Sequence, residues 1–342
     1  MKNMMRSNNC IFARFLFFTL FFCVISTFGL FASKPYAVVI HGGAGNIARE
    51  SLSDEQIEDY NNKLAEALIA AEEILSNGGT SLDAVETATR ILEDSPLFNA
   101  GKGAVFTIDG KNELDASIMC GQTHNAGAVA GVTTVKNPIS AARKVMENSP
   151  HVLLTGKGAE TFAFEQGLEI VDPGYFFDRR RWNQYREFIR NQVNRSRSYI
   201  DEDLKMGTVG AVALDIHGNI AAATSTGGMV GKRYGRIGDS PIIGAGNYAS
   251  NLTCGVSATG HGEYFIRNIV AYDISARMKY KGQSLAEAAH FVIQEKLREQ
   301  DANGGIIAID KDGNIVMEFN TTAMFRGFVK STGEKGVWIF QE

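Results

Sequence analysis

Short apolar runs rich in Val, Ile and Ala fall in clusters along this chain, and helical segments follow them. That order limits what the chain can fold into. Val209 to Leu214 and Ile220 to Ala223 flank Asp215-Ile216-His217-Gly218-Asn219 and read as a β-hairpin. A later pair, Ile306 to Ile309 and Ile315 to Phe319, is joined by Asp310-Lys311-Asp312-Gly313-Asn314. Near the start, Tyr36 to Ile40 reads as a buried strand stopped by His41-Gly42-Gly43-Ala44-Gly45. Ser53 and Gln56 form a capping box ahead of Ile57, Tyr60, Leu64, Leu68 and Ala71, whose helical spacing ends at Asn77-Gly78-Gly79. Thr80 and Asp83 open a second helix, through Val85 and Leu92, that must end before Pro96. Asn137 and Pro138 sit where an N-cap and a first helical residue belong. Ser284 and Glu287 cap a further helix carrying Leu285, Ala288, Phe291, Val292 and Leu297. Strands gathered ahead of helices in each half imply an α+β fold. Such a chain makes one domain of stacked sheets flanked by helices rather than alternating βαβ units.

The first residues stand apart from that domain. Lys2, Arg6 and Arg14 accompany an apolar run from Phe15 to Ala32, broken by Thr19, Ser26 and Thr27. This is the pattern of a signal peptide over residues 1–32, cleaved after Ala32, with export to the periplasm or the medium. An uncleaved membrane anchor is the alternative. Losing three positive charges takes the net charge from -4 to -7. Neither nucleic acid nor an anionic membrane is implied as a partner. Cys120 and Cys254 remain and read as buried thiols, while Asn194, Asn251 and Asn320 begin glycosylation sequons.

From Asp172 to Met206 the composition changes. Arg179, Arg180, Arg181, Arg186, Arg190, Arg195 and Arg197 occur with few aliphatic residues, and Asp201-Glu202-Asp203 follows. The expectation is a solvated helix or a mobile loop.

Familiar catalytic motifs are missing. Gly255-Val256-Ser257-Ala258-Thr259 lacks the final glycine of a serine elbow. Gly244-Ala245-Gly246-Asn247-Tyr248-Ala249 is followed by the strand-like Leu252 to Val256, leaving no helix for a dinucleotide to sit against. No H-E-x-x-H or C-x-x-C occurs, so no catalytic metal is implied. What remains is rich in Thr and Gly. Thr208 lies between Gly207 and a strand, and a threonine freed at its N-terminus carries its own base in its α-amine. Gly207 tolerates the strained backbone such a cut needs. A two-strand count brings Thr226 back to the level of Thr208, either as a strand end or as a partner hydroxyl. Arg236 and Asp239 on a Gly-rich loop form a salt-bridged turn or a clamp for a zwitterion. Thr259-Gly260-His261-Gly262 can turn a hydroxyl and backbone N–H groups inward as an oxyanion hole.

These segments together resemble the plant-type asparaginase/isoaspartyl peptidase family of N-terminal-nucleophile hydrolases. The resemblance rests on HGGAG at 41–45, FNAGKGAVFT at 98–107, ELDASIM at 113–119 and GTVGAVALD at 207–215. TSTGG at 224–228, GRIGDSP at 235–241 and TGHGE at 259–263 complete it. It implies a four-layer αββα sandwich cut into an α chain, 33–207, and a β chain, 208–342, with 172–206 variable and mobile before the cut. Two such pairs would assemble as an (αβ)2 heterotetramer. Thr208 carries over as nucleophile and Thr226 as its partner. Arg236 and Asp239 become the substrate clamp, Thr259 and Gly260 the oxyanion donors, and Ile237, Gly238, His261 and Gly262 their neighbours around the substrate. Asparagine and β-aspartyl dipeptides are the implied substrates. No cofactor is implied for catalysis, but a structural sodium ion is, on backbone carbonyls of Leu92, Glu93, Ser95, Phe98, Ala100 and Lys102.

Two other readings carry less. Glycosylasparaginases have aspartate where Gly207 stands and lack HGGAG. A non-catalytic secreted binding protein on the same scaffold would have no reason to keep every hydroxyl, clamp and oxyanion position.

Overall fold

The structure, a computed structural model, describes residues 35–194 and 207–341; the leader, Arg195, Arg197 and the acidic run 201–203 lie outside the described residues. The first half forms β1 (Ala37–Gly45), α1 (Asp54–Ser76), α2 (Ser81–Glu93), β2 (Leu114–Cys120) and β3 (Ala126–Val132). There follow α3 (Pro138–Asn148), β4 (Leu153–Thr155), α4 (Gly156–Glu165) and α5 (Arg179–Asn194). After Thr208 come β5 (Val209–Leu214), β6 (Ile220–Thr226), β7 (Asn247–Ala249) and β8 (Cys254–Gly260). Three helices, α6 (Gly262–Asn268), α7 (Val270–Lys281) and α8 (Leu285–His290), precede β9 (Gly304–Asp310) and β10 (Ile315–Phe319). β11 (Ala323–Lys330) and β12 (Lys335–Phe340) end the chain.

The strands make an eight-stranded sheet, in the order β12-β11-β1-β5-β6-β2-β3-β4, and a four-stranded sheet, β10-β9-β8-β7. Strands from both sides of Gly207 interleave in the larger sheet, where β5 lies between β1 and β6. The smaller sheet comes wholly from the residues after it. Three apolar layers hold the stack together. Leu64, Leu75, Val85, Leu92, Ile118 and Ile139 pack α1 to α3 on the outer face of the larger sheet. Val39, Val212, Ile220, Ile307, Ile309 and Met324 fill the gap between the sheets. Phe265, Ile274, Leu285, Val292, Val256 and Ile306 pack α6 to α8 on the far side. The order of layers is therefore helices, sheet, sheet, helices, a mixed α/β sandwich.

The capping boxes at Ser53/Gln56 and Ser284/Glu287 both form, and the Thr80 side chain caps α2. At α3 the Asn137 amide turns instead to Asp94, and the carboxyl of Glu93 accepts the N–H of Ile139. Two expectations need correction. β1 does not stop at HGGAG but runs through it, paired to β11, with a register shift between His41 and Gly43. Glycines read as breakers, yet β11 supplies their hydrogen bonds and the bulge turns the strand. After Gly244 comes the short strand β7 (Asn247–Ala249), and the next strand is Cys254–Gly260, later than Leu252 to Val256. β2 and β3 carry a weak signal because AGAVAGV is made of small residues and LDASIMC sets buried Asp115 and Ser117 among its apolar ones.

Cys120 and Cys254 are free thiols, and burial pushes that of Cys254 up to about 12. Two sequons are closed by interior hydrogen bonds. Asn251 Oδ1 accepts the Ile220 N–H at 2.9 Å, and Asn320 Nδ2 donates to the Ala302 carbonyl at 2.9 Å.

The arginine-rich stretch is a docked helix as far as Asn194. Trp182, Tyr185 and Phe188 recur at helical spacing along α5 and face the body of the protein. Trp182 meets Phe106 edge to face at 5.1 Å, Tyr185 donates to the Ile108 carbonyl at 3.0 Å, and the Phe188 ring covers Gly231. Arg181 donates to the Gly103 carbonyl at 2.7 Å. The apolar stripe is aromatic rather than aliphatic, so an aliphatic count misses it. Trp182→Ala should cost about 2 kcal/mol, less than a fully buried tryptophan because the ring is half-buried. A calorimetric melt within a degree of the parent would show that α5 is not anchored this way.

Candidate active site

The Gly207–Thr208 peptide lies in a collar of small residues. A Cβ on Gly43 (φ +107°) would stand 2.7 Å from Gly207 Cα and 3.1 Å from Thr208 N, so the HGGAG strand closes against the bond only because that residue is glycine. The Gly207 carbonyl oxygen accepts from Asn99 Nδ2 at 2.8 Å and from Thr226 Oγ1 at 3.3 Å. Asn99 is itself fixed, donating to the Gly228 carbonyl at 2.7 Å and accepting from Val105 N–H at 3.0 Å.

Antiparallel pairing of β5 with β6 sets Val209 against Ser225 and so brings Thr208 level with Thr226. The two hydroxyls meet at 3.1 Å, with Thr208 as donor, and the Gly228 N–H donates to Thr226 Oγ1 at 3.0 Å. Thr208 is 8% exposed and Thr226 3%, so both hydroxyls act in a nearly dry setting. Gly260, at the end of β8, lines the same small hollow as Gly207, Thr208, Thr226, Arg236 and Asp239. The Thr259 hydroxyl accepts the Ala44 N–H at 3.3 Å, tying β8 to β1.

Arg236 and Asp239 are brought to one hollow but not to each other as an ion-paired turn. Arg236 Nε and Nη2 donate to the two oxygens of Glu263, each at 2.9 Å. This fork holds the guanidinium flat. A Cβ on Gly262 would stand 2.8 Å from Nη2 and one on Gly238 2.9 Å from Nη1, so both glycines make room for it. Ile237 is half-buried beside it. Asp239 Oδ2 is buried with no hydrogen-bond partner among the described residues. Burial pushes its carboxyl up to about 7, against the pull of its own backbone N–H and of Arg236. A buried, unpaired carboxyl beside a held cation is complementary to an ammonium and a carboxylate borne on one carbon. Burial lowers the His261 ring below its ordinary value, at the start of α6.

Sequence reasoning missed Asn99, Glu263 and the closing role of Gly43. Asn99 lies inside the FNAGKGAVFT segment, but nothing local says that its amide reaches a carbonyl more than a hundred residues away. A roomier hollow lies between α2 and α3, where Arg143 already holds Asp83, Glu86 and Glu147.

Asp239 should cost the fold stability at neutral pH. Its folded value lies above the ordinary 3.8, so the unfolded chain ionises first and stability falls as pH rises from about 4 to about 7. Asp239→Asn removes that cost and should stabilise the protein at pH 8 by roughly 2–4 kcal/mol, with the gain vanishing near pH 4. Thermal melts across that range check it; equal stability at pH 8 would refute a buried, strained carboxyl.

A family model described as Asparaginase matches residues 34–339. The chain is 50% identical over 306 residues to an isoaspartyl peptidase of Salmonella typhimurium, covering 88% of this chain and 98% of that protein. It is 43% identical over 302 residues to a plant-type L-asparaginase of Pyrococcus abyssi, covering 86% and 96% of the two chains. It is 39% identical over 290 residues to an isoaspartyl peptidase/L-asparaginase of Danio rerio, covering 84% and 90%. A match of that extent takes in the collar around Gly207, the threonine pair and the Arg236/Asp239 loop, and the chain belongs to the asparaginase family.

Proposed function

We propose that the protein hydrolyses L-asparagine and β-aspartyl (isoaspartyl) dipeptides with Thr208 as an N-terminal nucleophile, freed when the chain cuts its own Gly207–Thr208 bond. The observation that carries this reading is the pairing of Thr208 Oγ1 with Thr226 Oγ1 at 3.1 Å beside a Gly207 carbonyl already polarised by Asn99. In maturation Oγ1 attacks the Gly207 carbonyl carbon and its proton passes toward Thr226. One N–H of the Asn99 amide stabilises the oxyanion, the proton passes by way of Thr226 to the departing nitrogen, and the peptide C–N bond breaks to leave an ester on Oγ1. Water hydrolyses the ester, giving a Gly207 carboxylate and a free Thr208 amine.

That amine, with a pKa near ~8, takes the Oγ1 proton when the hydroxyl attacks the side-chain amide of the substrate. Ammonia, or the amino group of the second residue, leaves with a proton, and water then releases aspartate. Arg236 grips the α-carboxylate in a fork and Asp239 takes the α-ammonium, with Thr259 and Gly260 at the oxyanion and His261 and Gly262 behind them. We also propose a structural sodium ion for the loop 92–102. At Gly101 a Cβ would run into the Glu93 carbonyl oxygen and at Gly103 into that of Phe98. We assign the ion to backbone carbonyls of Leu92, Glu93, Ser95, Phe98, Ala100 and Lys102, where it would brace the loop that aims Asn99. Two cut chains pairing as an (αβ)2 assembly also belong to this reading.

Purified protein should separate into two chains under denaturing conditions, the smaller beginning Thr-Val-Gly-Ala-Val. Thr208→Ala should remain one chain, without activity. Among substrates, asparagine and β-aspartyl-leucine should turn over, and the α-linked peptide or N-acetyl-asparagine should not. Turnover of either blocked compound at the β-aspartyl rate would sink the clamp. Arg236→Lys keeps the charge but loses the fork, and should lose at least tenfold in kcat/KM while still maturing.

We also propose export, on the basic head and apolar run of residues 1–32. Fractionating a Gram-negative host should place protein starting at Ser33 in the periplasm. Full-length chain held in the membrane would favour the anchor.

A further inference from the structure

One step along the strands from the threonine pair, the dry gap between the sheets is interrupted by a polar rung. His41 on β1 pairs in register with Gly210, two residues after Thr208. Ser257 on β8 lies three residues before Gly260, and Thr224 on β6 two before Thr226. The side chains of these three meet. His41 Nε2 lies 3.0 Å from Ser257 Oγ, Ser257 Oγ lies 2.7 Å from Thr224 Oγ1, and Thr224 Oγ1 donates to the Gly246 carbonyl at 3.1 Å. All three are wholly buried. The next position on each large-sheet strand, Val39, Val212 and Ala222, is apolar core.

Each hydroxyl has one proton. The Thr224 hydroxyl is within donating distance of the Gly246 carbonyl and of Ser257, and Ser257 of Thr224 and of His41 Nε2, so the direction of the rung follows the tautomer of the ring. Nδ1 lies buried beside the Thr208 backbone, whose hydrogen bond with the ring pulls against burial. Burial makes the ring hard to protonate, its pKa falling to about 3, so it stays neutral. The rung crosses from sheet to sheet and back. It ends at Gly246, whose N–H donates to the Asp239 carbonyl at 3.1 Å. Gly210 must be glycine, because a Cβ there would run into Ser257 Oγ and His41 Nε2.

We propose that His41 is a positioning residue which, through Ser257 and Thr224, sets the spacing between the strand that carries Thr208 and the elements that carry Gly260 and Asp239. Apolar packing is non-directional and lets sheets slide, whereas a chain of hydrogen bonds fixes distance and angle. The nucleophile stands on the larger sheet, the oxyanion contact at the end of β8 in the smaller one, and the clamp on the loop between β6 and β7. Their separation has to be held to a fraction of an ångström, since a 1 Å misplacement costs about a hundredfold in rate.

The proposal rests on Thr208 as nucleophile, and three variants test it: Ser257→Ala, His41→Leu and His41→Gln. Kinetics with asparagine are normalised to the amount of free N-terminal threonine. Ser257→Ala and His41→Leu should lose about tenfold to a hundredfold in kcat, with KM within threefold because Arg236 and Asp239 are untouched. His41→Gln places an amide, able to donate or to accept, where Nε2 stood and should stay within about fivefold of the parent. Maturation rates should follow the same order, since the same Oγ1 attacks. A folded Ser257→Ala chain that fails to cut supports the rung as well. Parent-like kcat in His41→Leu, equal losses in Leu and Gln, or a rise in KM at unchanged kcat would overturn it, and so would a Ser257→Ala chain that no longer melts cooperatively. A parent protein that neither cuts itself nor hydrolyses asparagine would instead defeat the functional reading beneath it.

Discussion

The antiparallel pairing of β5 with β6 is the constraint on which the site depends. A one-residue slip in that ladder would send Thr208 to the opposite face of the sheet from Thr226. Two features prevent the slip. The tight turn from Asp215 to Asn219 is closed by Asp215, whose carboxyl accepts the N–H groups of His217 and Asn219 at 2.9 Å each. Beyond the turn, both faces of the hairpin are buried, between α2 on one side and the smaller sheet on the other. Register is therefore held by the core, and the hydroxyl pair is held by register.

Around that hairpin the protein places polar groups where burial makes them costly and then leaves selected ones unpaired. Asp239 Oδ2 has no partner, and Glu93, beneath Ser225, is pushed up to about 8 by burial. The two serve different ends. Glu93 takes the Ser225 hydroxyl at 2.6 Å and the N–H of Ile139 at 3.0 Å, replacing the missing cap of α3 and joining that helix to β6. Asp239 Oδ2 lines the hollow beside Thr208 and is left without a hydrogen-bond partner among the described residues. Unsatisfied buried groups in folded proteins are few, and those lining a hollow are candidates for ligand contact.

Glycine is used for proximity as much as for turns. At Gly43, Gly210, Gly238 and Gly262 the missing Cβ lets a backbone or a guanidinium approach closer than any side chain would permit. These positions lie in β1, β5, the Arg236 loop and α6. The surroundings of Thr208 and of Arg236 are thus assembled from four separate segments, each of which looks in isolation like a break in regular structure.

Much of the outcome was legible in the sequence because it is local or periodic. Hairpin turns, capping boxes, the apolar stripes of α1, α2 and α8, and the order of strands before helices each declare themselves within a dozen residues. The two-strand count from Thr208 to Thr226 worked for the same reason, since a hairpin is a local object. The segments that resemble a known family gave Arg236 and Asp239 as a pair. What only the tertiary structure decided lies in contacts of long sequence separation. Arg236 is held by Glu263 rather than by Asp239, Asn99 reaches the Gly207 carbonyl, and His41 meets Ser257 across the gap between sheets. The docking of α5 through Trp182, Tyr185 and Phe188 belongs with these. Sequence states which side chains a chain owns and how its backbone will curl. Which of them meet is fixed by how the apolar faces stack, and that is a property of the whole chain.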